Sequence, residues 1–317
     1  MKKKNKTTPY DDVFRTLLEK CTGFVIPVIN EVFKTSYHME EDISLMANEH
    51  FTSIKGGHKK RITDSQIKIQ NHYYHLECES KSKDIIVLRM VEYDFETALS
   101  HQRKEQGEYF LDFPYSAVIF LRKAASIPEF MVVNVSFPDG QKVKYKLPSI
   151  KVQEYTKDEI FEKELYFFIP YYIMRYEKQI SDIDKDEEKL KKLVEDYEDI
   201  YERLSILEKN EVIQDDYLHN LIELTDMLID VVAEEADNVR REVKYMGGRV
   251  LKLKSDKIVR KIQKGIDKGR RIGIRESEKR NFRLVTILLK EKKYDELEEA
   301  AKNEDYRNKL YEKYQIK

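Results

Sequence analysis

Cysteine is nearly missing from this chain. Cys21 and Cys78 are its two representatives among 317 residues, too few for a disulfide framework and forming no CxxC ligand pair, so a reduced, cytoplasmic setting is expected. Tryptophan is missing altogether, and glycine and proline number only 10 and 7. No segment approaches the roughly 18 apolar residues of a membrane span. Lys2, Lys3, Lys4 and Lys6 are followed by no apolar stretch, so the N-terminus does not read as a signal peptide, and a soluble protein with no membrane partner is expected. There is no GxxxxGKS phosphate loop, no GxSxG elbow and no HExxH or HxxxH pattern, which leaves NTPase, serine hydrolase and zinc hydrolase readings without support. Net charge is only −1, so the whole-chain balance points to no partner.

Charged residues are in excess. They make up 37% of the chain, against about 25% in an ordinary globular protein, while 41% is hydrophobic, enough for a core. Long solvated helices are the usual cause, and the length allows one good-sized domain with an appendage, or two domains. Residues 1–176 pattern as a mixed α/β domain. A helix is expected over Asp11–Phe33, bent or split at Gly23 and Pro27. Strands are expected at Ile43–Phe51, Arg61–Gln70 and Tyr73–Ser80, the last two paired as a hairpin through Asn71-His72. An amphipathic helix over Ile85–Leu99 and a buried strand over Ser116–Leu121 follow. A second hairpin, Glu129–Ser136 with Lys142–Leu147, turns at Pro138-Asp139-Gly140. The order αβββαβ with extra strands predicts a mixed sheet flanked by helices.

Residues 177–317 read as a charged, all-α extension. Ser181–Val239 holds twenty acidic and six basic side chains on two amphipathic helices broken near Asn210. Residues 240–280 reverse the sign, with sixteen Lys and Arg against five acids, and with Gly265, Gly269 and Gly273 four apart on one helix side. This basic stretch can pair with the acidic helices or contact nucleic-acid phosphates. The charged helices can also form an arm through which copies of the chain associate. Asn281–Tyr314 reads as a closing helical hairpin.

The chemistry concentrates in the first hairpin. Glu77 and Glu79 share one face of their strand, Cys78 points to the opposite, apolar face, and Lys81 joins the glutamates if the strand continues. Asp64, thirteen residues before Glu77, shares a face with Gln66 and Lys68 on the partner strand. Carboxylates are depleted from strands and costly to bury unpaired, so three converging on one sheet point to a cation site. If the two faces coincide, Asp64 and Glu77 grip one cation, and the backbone carbonyl of Cys78 can add a third oxygen. Hard oxygen ligands favour Mg²⁺ or Mn²⁺ over zinc. An activated water beside a neutralised phosphate then makes phosphodiester hydrolysis the natural reaction class.

Asp64, then Glu77-Cys78-Glu79 within Leu-Glu-Cys-Glu-Ser, then Arg89-Met90-x-x-Tyr93, resembles the PD-(D/E)XK nucleases. More narrowly, it is similar to the bacterial recombination-promoting nuclease and transposase family, as are Tyr10-Asp11-Asp12-Val13-Phe14-Arg15 and the Gly-spaced basic tail. The resemblance covers residues 10–100 well, the tail loosely and the middle hardly at all. It implies a restriction-endonuclease-like fold over 1–176 and a Mg²⁺-dependent DNA endonuclease acting in recombination or transposition, with Asp64 and Glu77 as metal ligands. Its third motif position, where that family carries Lys or Gln, is Glu79. A glutamate there cannot stabilise negative charge, but it can be an extra ligand or accept a proton from water. Lys81 or Lys68 then supplies the missing positive charge from a neighbouring position, or else the activity is weakened and the chain acts as a DNA-binding or assembly module.

Arg89 and Tyr93 lie four apart on one helical face, where Arg89 either binds phosphate or pairs at the surface with Glu92 or Asp94. Asp11 and Asp12 are possible further acidic ligands or helix-start caps, with Glu31 a weaker candidate. The aromatic run Tyr166–Tyr172 reads chiefly as a core or interdomain contact.

Overall fold

The structure, a computed structural model, describes residues 8–46, 49–54, 57–62, 65–80, 85–124 and 126–316; for 49–54, 57–62, 253–263, 265–275 and 278 it describes the backbone alone. Two compact units emerge, residues 1–250 and 251–317, and the sequence-based boundary at 176 falls inside the first.

The first unit begins with α1 (Pro9–Lys20), which starts where Thr8 and Asp11 form a reciprocal capping box and Pro9 supplies a pre-set first turn. The expected long helix is indeed split: one turn of 3₁₀ helix over Thr22–Phe24 separates α1 from α2 (Val25–Phe33). Pro27 falls in the first turn of α2, where its missing N–H costs nothing. Short strands follow: β1 (Ile43–Leu45), β2 (Glu49–Ile54), β3 (Gly57–Ile62), β4 (Ser65–Ile69) and β5 (His72–Glu79). Then come α3 (Ile86–Ser100), the small hairpin β6 (Arg103–Glu105) and β7 (Glu108–Phe110), β8 (Tyr115–Phe120), β9 (Phe130–Ser136) and β10 (Lys142–Lys151).

Six of these strands make one mixed sheet in the order β1-β4-β5-β8-β10-β9. β4 and β5 are antiparallel, with Gln66 opposite His75, whereas β5 and β8 are parallel, with Glu77 opposite Val118 and Glu79 opposite Phe120. Helix α3 is the crossover between those parallel neighbours. The α/β class and the mixed sheet flanked by helices agree with the sequence.

Several local boundaries do not. The predicted strand 43–51 is two strands in different sheets, since β1 pairs with β4 and β2 with β3 in a separate two-stranded sheet. The predicted strand 61–70 likewise divides between β3 and β4, which take different partners. An alternating pattern carries no record of which strand it pairs with. The hairpin turn lies at Gln70-Asn71, one residue earlier than expected, because Gln70 adopts φ 54° and His72 already pairs with Ile69. The second hairpin turns as predicted, with Asp139 Oδ1 accepting the Gln141 amide at 3.0 Å and Gly140 at φ 90°.

α3 covers one sheet face, packing Ile86 and Met90 on Val118, Phe120 and Leu147. On the other face Phe33 of α2 packs against Tyr74 and Tyr115, whose rings stack at 5.4 Å. After β10 come α4 (Lys157–Glu162), a 3₁₀ run over Tyr166–Gln179, α5 (Ile180–Lys185), α6 (Glu187–Lys209), α7 (Asp215–Val232) and α8 (Asp237–Lys290). The aromatic run Tyr166–Tyr172 is buried, meeting Phe14 and Phe24 edge to face through Phe167 and Tyr166. The two acidic helices are broken near Asn210 as expected, and opposite charges do meet: Arg249 reaches Glu198 and Lys244 reaches Asp230, both at 2.7 Å. Gly265, Gly269, Gly273 and eight of the sixteen basic side chains of that stretch lie outside the described side chains.

The second unit has its own small core. Leu284 and Leu288 on the last turns of α8 pack with Ala300 of α9 (Tyr294–Lys302) and with Leu310 and Tyr311 of α10 (Glu304–Lys313). No helix among the described residues is long and apolar enough to cross a membrane.

Candidate functional site

Alternation along β5 brings His75, Glu77 and Glu79 to the face beneath α3, while Tyr74, Leu76 and Cys78 point the other way. All three polar residues are buried: His75 is fully enclosed, Glu77 is 1% exposed and Glu79 7%. Buried charge survives only with partners, and α3 brings them. Arg89 Nη2 lies 2.9 Å from Glu77 Oε2, and its Nη1 lies 3.3 Å from Glu79 Oε1. One guanidinium thus spans both glutamates.

Deeper in, the His75 imidazole lies between two carboxylates, with Nδ1 2.6 Å from Asp94 Oδ1 and Nε2 3.3 Å from Glu77 Oε1. Asp94 also accepts the Tyr145 hydroxyl from β10. Gln66 on β4 donates to Thr97 Oγ1 at 2.6 Å, tying the neighbouring strand to α3. The result is one polar chain running Tyr145–Asp94–His75–Glu77–Arg89–Glu79, buried at its centre and half-buried at Tyr145 and Arg89.

Titration follows from these contacts. Burial disfavours an imidazolium, but the hydrogen bonds to Asp94 and Glu77 outweigh it and raise His75 to about 9, so both ring nitrogens donate at neutral pH. Burial likewise works against the Arg89 charge, yet Glu77, Tyr93 and Glu79 together hold it above its ordinary value. Burial, with Asp94 adding to it, keeps the Tyr145 phenol protonated well above its usual range.

The sequence-predicted residues fall into distinct groups. Glu77, Glu79 and Arg89 come together. Arg89 does not take the surface pairing with Glu92 or Asp94; Asp94 is fully buried and faces His75 instead. Tyr93 is buried beside the His75 ring at 5.9 Å. Asp64 and Lys81 lie outside the described residues. Lys68 sits over the Tyr73 ring at 5.5 Å. The backbone of Cys78 is in the β5–β8 ladder opposite Ile119, and its thiol is buried. Asp11 closes the capping box of α1 and Asp12 is exposed in its first turn, while Glu31 pairs with Lys163 at 2.6 Å.

Four members were not found from the sequence. His75 is signalled only by standing two residues before Glu77 on an alternating strand. Asp94 and Tyr145 are 51 residues apart, with no local mark of their contact. Arg122, just past β8, donates to Ser80 O at 2.6 Å, to Glu177 at 2.6 Å and to Tyr10 at 2.9 Å, fastening the strand end that follows Glu79.

Two glutamate carboxylates are the hard oxygen donors that suit Mg²⁺ or Mn²⁺ rather than zinc. Among the described residues no group of three or more His, Cys, Asp or Glu side chains is arranged to hold a metal ion. The fit to a divalent ion is therefore one of donor type alone, resting on two candidate donors on β5. No family model, curated protein or solved structure matches this chain.

Proposed function

We propose that the chain is a metal-dependent DNA endonuclease of the PD-(D/E)XK kind, its α/β part a restriction-endonuclease-like fold, acting in DNA recombination or transposition. The observation that carries this reading is the pair Glu77 and Glu79, buried side by side on β5 under α3, in a strand whose neighbours are antiparallel β4 and parallel β8. Two acids on one strand of a mixed sheet are what support the reading. Glu77 would hold Mg²⁺ or Mn²⁺, with Asp64 and the Cys78 carbonyl the further ligands the sequence offers and Glu79 either an extra ligand or the base. The bound ion supplies Lewis-acid stabilisation of charge building on the phosphate and a more acidic water.

The chain's own groups do the rest. His75, braced by Asp94, holds Glu77 in one orientation. Glu79, nearer the surface, can accept a proton from water. Arg89 is about one-third exposed, and its guanidinium can receive a phosphate bidentately. Nicking of supercoiled plasmid with Mg²⁺ or Mn²⁺ tests the reading: cleavage by wild type and its loss in Glu77→Gln and Asp64→Asn are expected, and equal cleavage by all three removes it.

One observation favours a second reading. Arg89 already spans both glutamates at 2.9 and 3.3 Å, and a cation seated between them requires it to move away. With Glu79 where Lys or Gln is expected, the cluster then serves as a neutralised structural core of a DNA-binding protein. That protein binds DNA with a steep salt dependence and does not cut it.

A further inference from the structure

The ribbon of β9 and β10 has two unlike faces. On one, Tyr145 donates to Asp94 and Leu147 packs with Met131 against α3. On the other, antiparallel register sets Lys142 beside Ser136, Lys144 beside Asn134 and Lys146 beside Val132. All six of these residues are exposed. None of the three lysines forms an ion pair among the described residues. Between Phe130 and Lys151 the chain has four lysines and one acid, Asp139, although the whole protein carries 58 basic and 59 acidic residues.

Protection of a free sheet edge is the ordinary reason for strand lysines. Here the outermost strand β9 carries no charge, and the lysines stand on the segment of β10 that pairs with β9, while β8 pairs with β10 only at Ser149–Lys151. Guarding the open side of that segment does not require three lysines on one face beside Asn134 and Ser136. Lysines two residues apart on a strand are about 6.8 Å apart, comparable to the through-space separation of successive phosphates on one DNA strand, whose interval of about 3.4 Å is measured along the helix axis. A row of three at that interval can meet successive phosphates. The B-DNA major groove also admits a two-stranded ribbon, which the narrow groove of duplex RNA does not.

We propose that this exposed face binds duplex DNA through the phosphate backbone, with Lys142, Lys144 and Lys146 on phosphates and Asn134 and Ser136 donating to phosphate oxygens. The proposal does not depend on the carboxylate cluster. Binding of the full chain to a short labelled DNA duplex, measured by fluorescence anisotropy in EDTA over a salt series, tests it whether or not the chain cuts.

The triple Lys142→Gln, Lys144→Gln, Lys146→Gln variant is expected to flatten the plot of log Kd against log salt by about 2.7, three contacts at about 0.9 each. Lys144→Gln alone flattens it by about 0.9, and the triple Lys→Arg variant keeps the wild-type slope. Glutamine at Lys189, Lys191 and Lys192 on α6 also leaves the slope unchanged. The proposal is overturned by a wild-type slope in the ribbon variants, by equal flattening in the α6 variant, by tighter binding to duplex RNA, or by binding to phosphatidylserine vesicles without binding to DNA.

Discussion

Arg89 Nη2 lies 2.9 Å from Glu77 Oε2, joining a cation that is 36% exposed to a carboxylate that is 1% exposed. The contact crosses from α3 to β5 and carries charge balance from the protein rim to the sheet interior. Because Arg89 also reaches Glu79, the stability of the fold and the chemistry of the site meet in one side chain.

Removing that guanidinium has a predictable effect. Breaking a buried ion pair costs about 3–5 kcal/mol, and the exposure of Arg89 reduces this to about 1–3 kcal/mol for Arg89→Ala. Urea unfolding followed by circular dichroism measures it. Arg89→Gln separates the two functional readings. If the guanidinium is a resident counter-ion, its loss lets Mn²⁺ raise the melting temperature of the variant more than that of wild type; with no such gain, the counter-ion reading goes.

His75 gives the protein a pH dependence of definite sign. Its pKa is about 9 in the fold and 6.5 ordinarily, so the folded state holds the proton more tightly. The stabilisation is complete below about pH 6.5 and disappears as pH rises through about 9, a loss on the order of 3 kcal/mol. Unfolding midpoints taken across that window should decline in wild type and stay nearly level in His75→Gln.

Asp226 should behave differently, in a lower window. Burial raises its pKa to about 7, opposed by Lys244 and reinforced by Asp230 and Glu223, and its Oδ1 is buried without a hydrogen-bond partner among the described residues. Its contribution is full below about pH 4 and lost as pH rises through about 7. Asp226→Asn is expected to stabilise by about 1–3 kcal/mol at pH 8 and to change nothing near pH 4. Thermal melts at the two pH values check this.

Adjacent glycines on α8 provide a steric test. A Cβ added at Gly247 would meet Ile222 Cγ2 at 2.9 Å, with Asp226 Oδ1 and Tyr201 Oη both at 3.6 Å, whereas at Gly248 it meets nothing within 4 Å. Gly247→Ala should cost about 1–3 kcal/mol through overpacking, and Gly248→Ala should gain up to about 1 kcal/mol of helix propensity. Melting temperatures that move together would contradict this account of how α8 packs on α7.

Much of the site was legible because its signals are local. Period-two alternation put Glu77 and Glu79 on one face with Cys78 opposite, and the spacing of apolar residues set α3 to within a residue. Pro138-Asp139-Gly140 marked the β9–β10 turn. Pairing partners were less legible: the runs at 43–51 and 61–70 each read as one strand, yet each divides between two partners. Arg89 had Glu92 and Asp94 as neighbours in sequence and took Glu77 and Glu79 instead.

Residues near one another along the chain thus established the elements, the side each acid faces and the reversal from acidic to basic helices, because backbone geometry and side-chain direction are short-range properties. Packing alone decided that the glutamates share an arginine, that His75 stays charged between Asp94 and Glu77, and that Tyr145 closes the network from 51 residues beyond Asp94. Those contacts cross from strand to helix and from one strand to another. They form because a charge held away from water requires a partner, and the folded sheet and α3 bring such partners within reach.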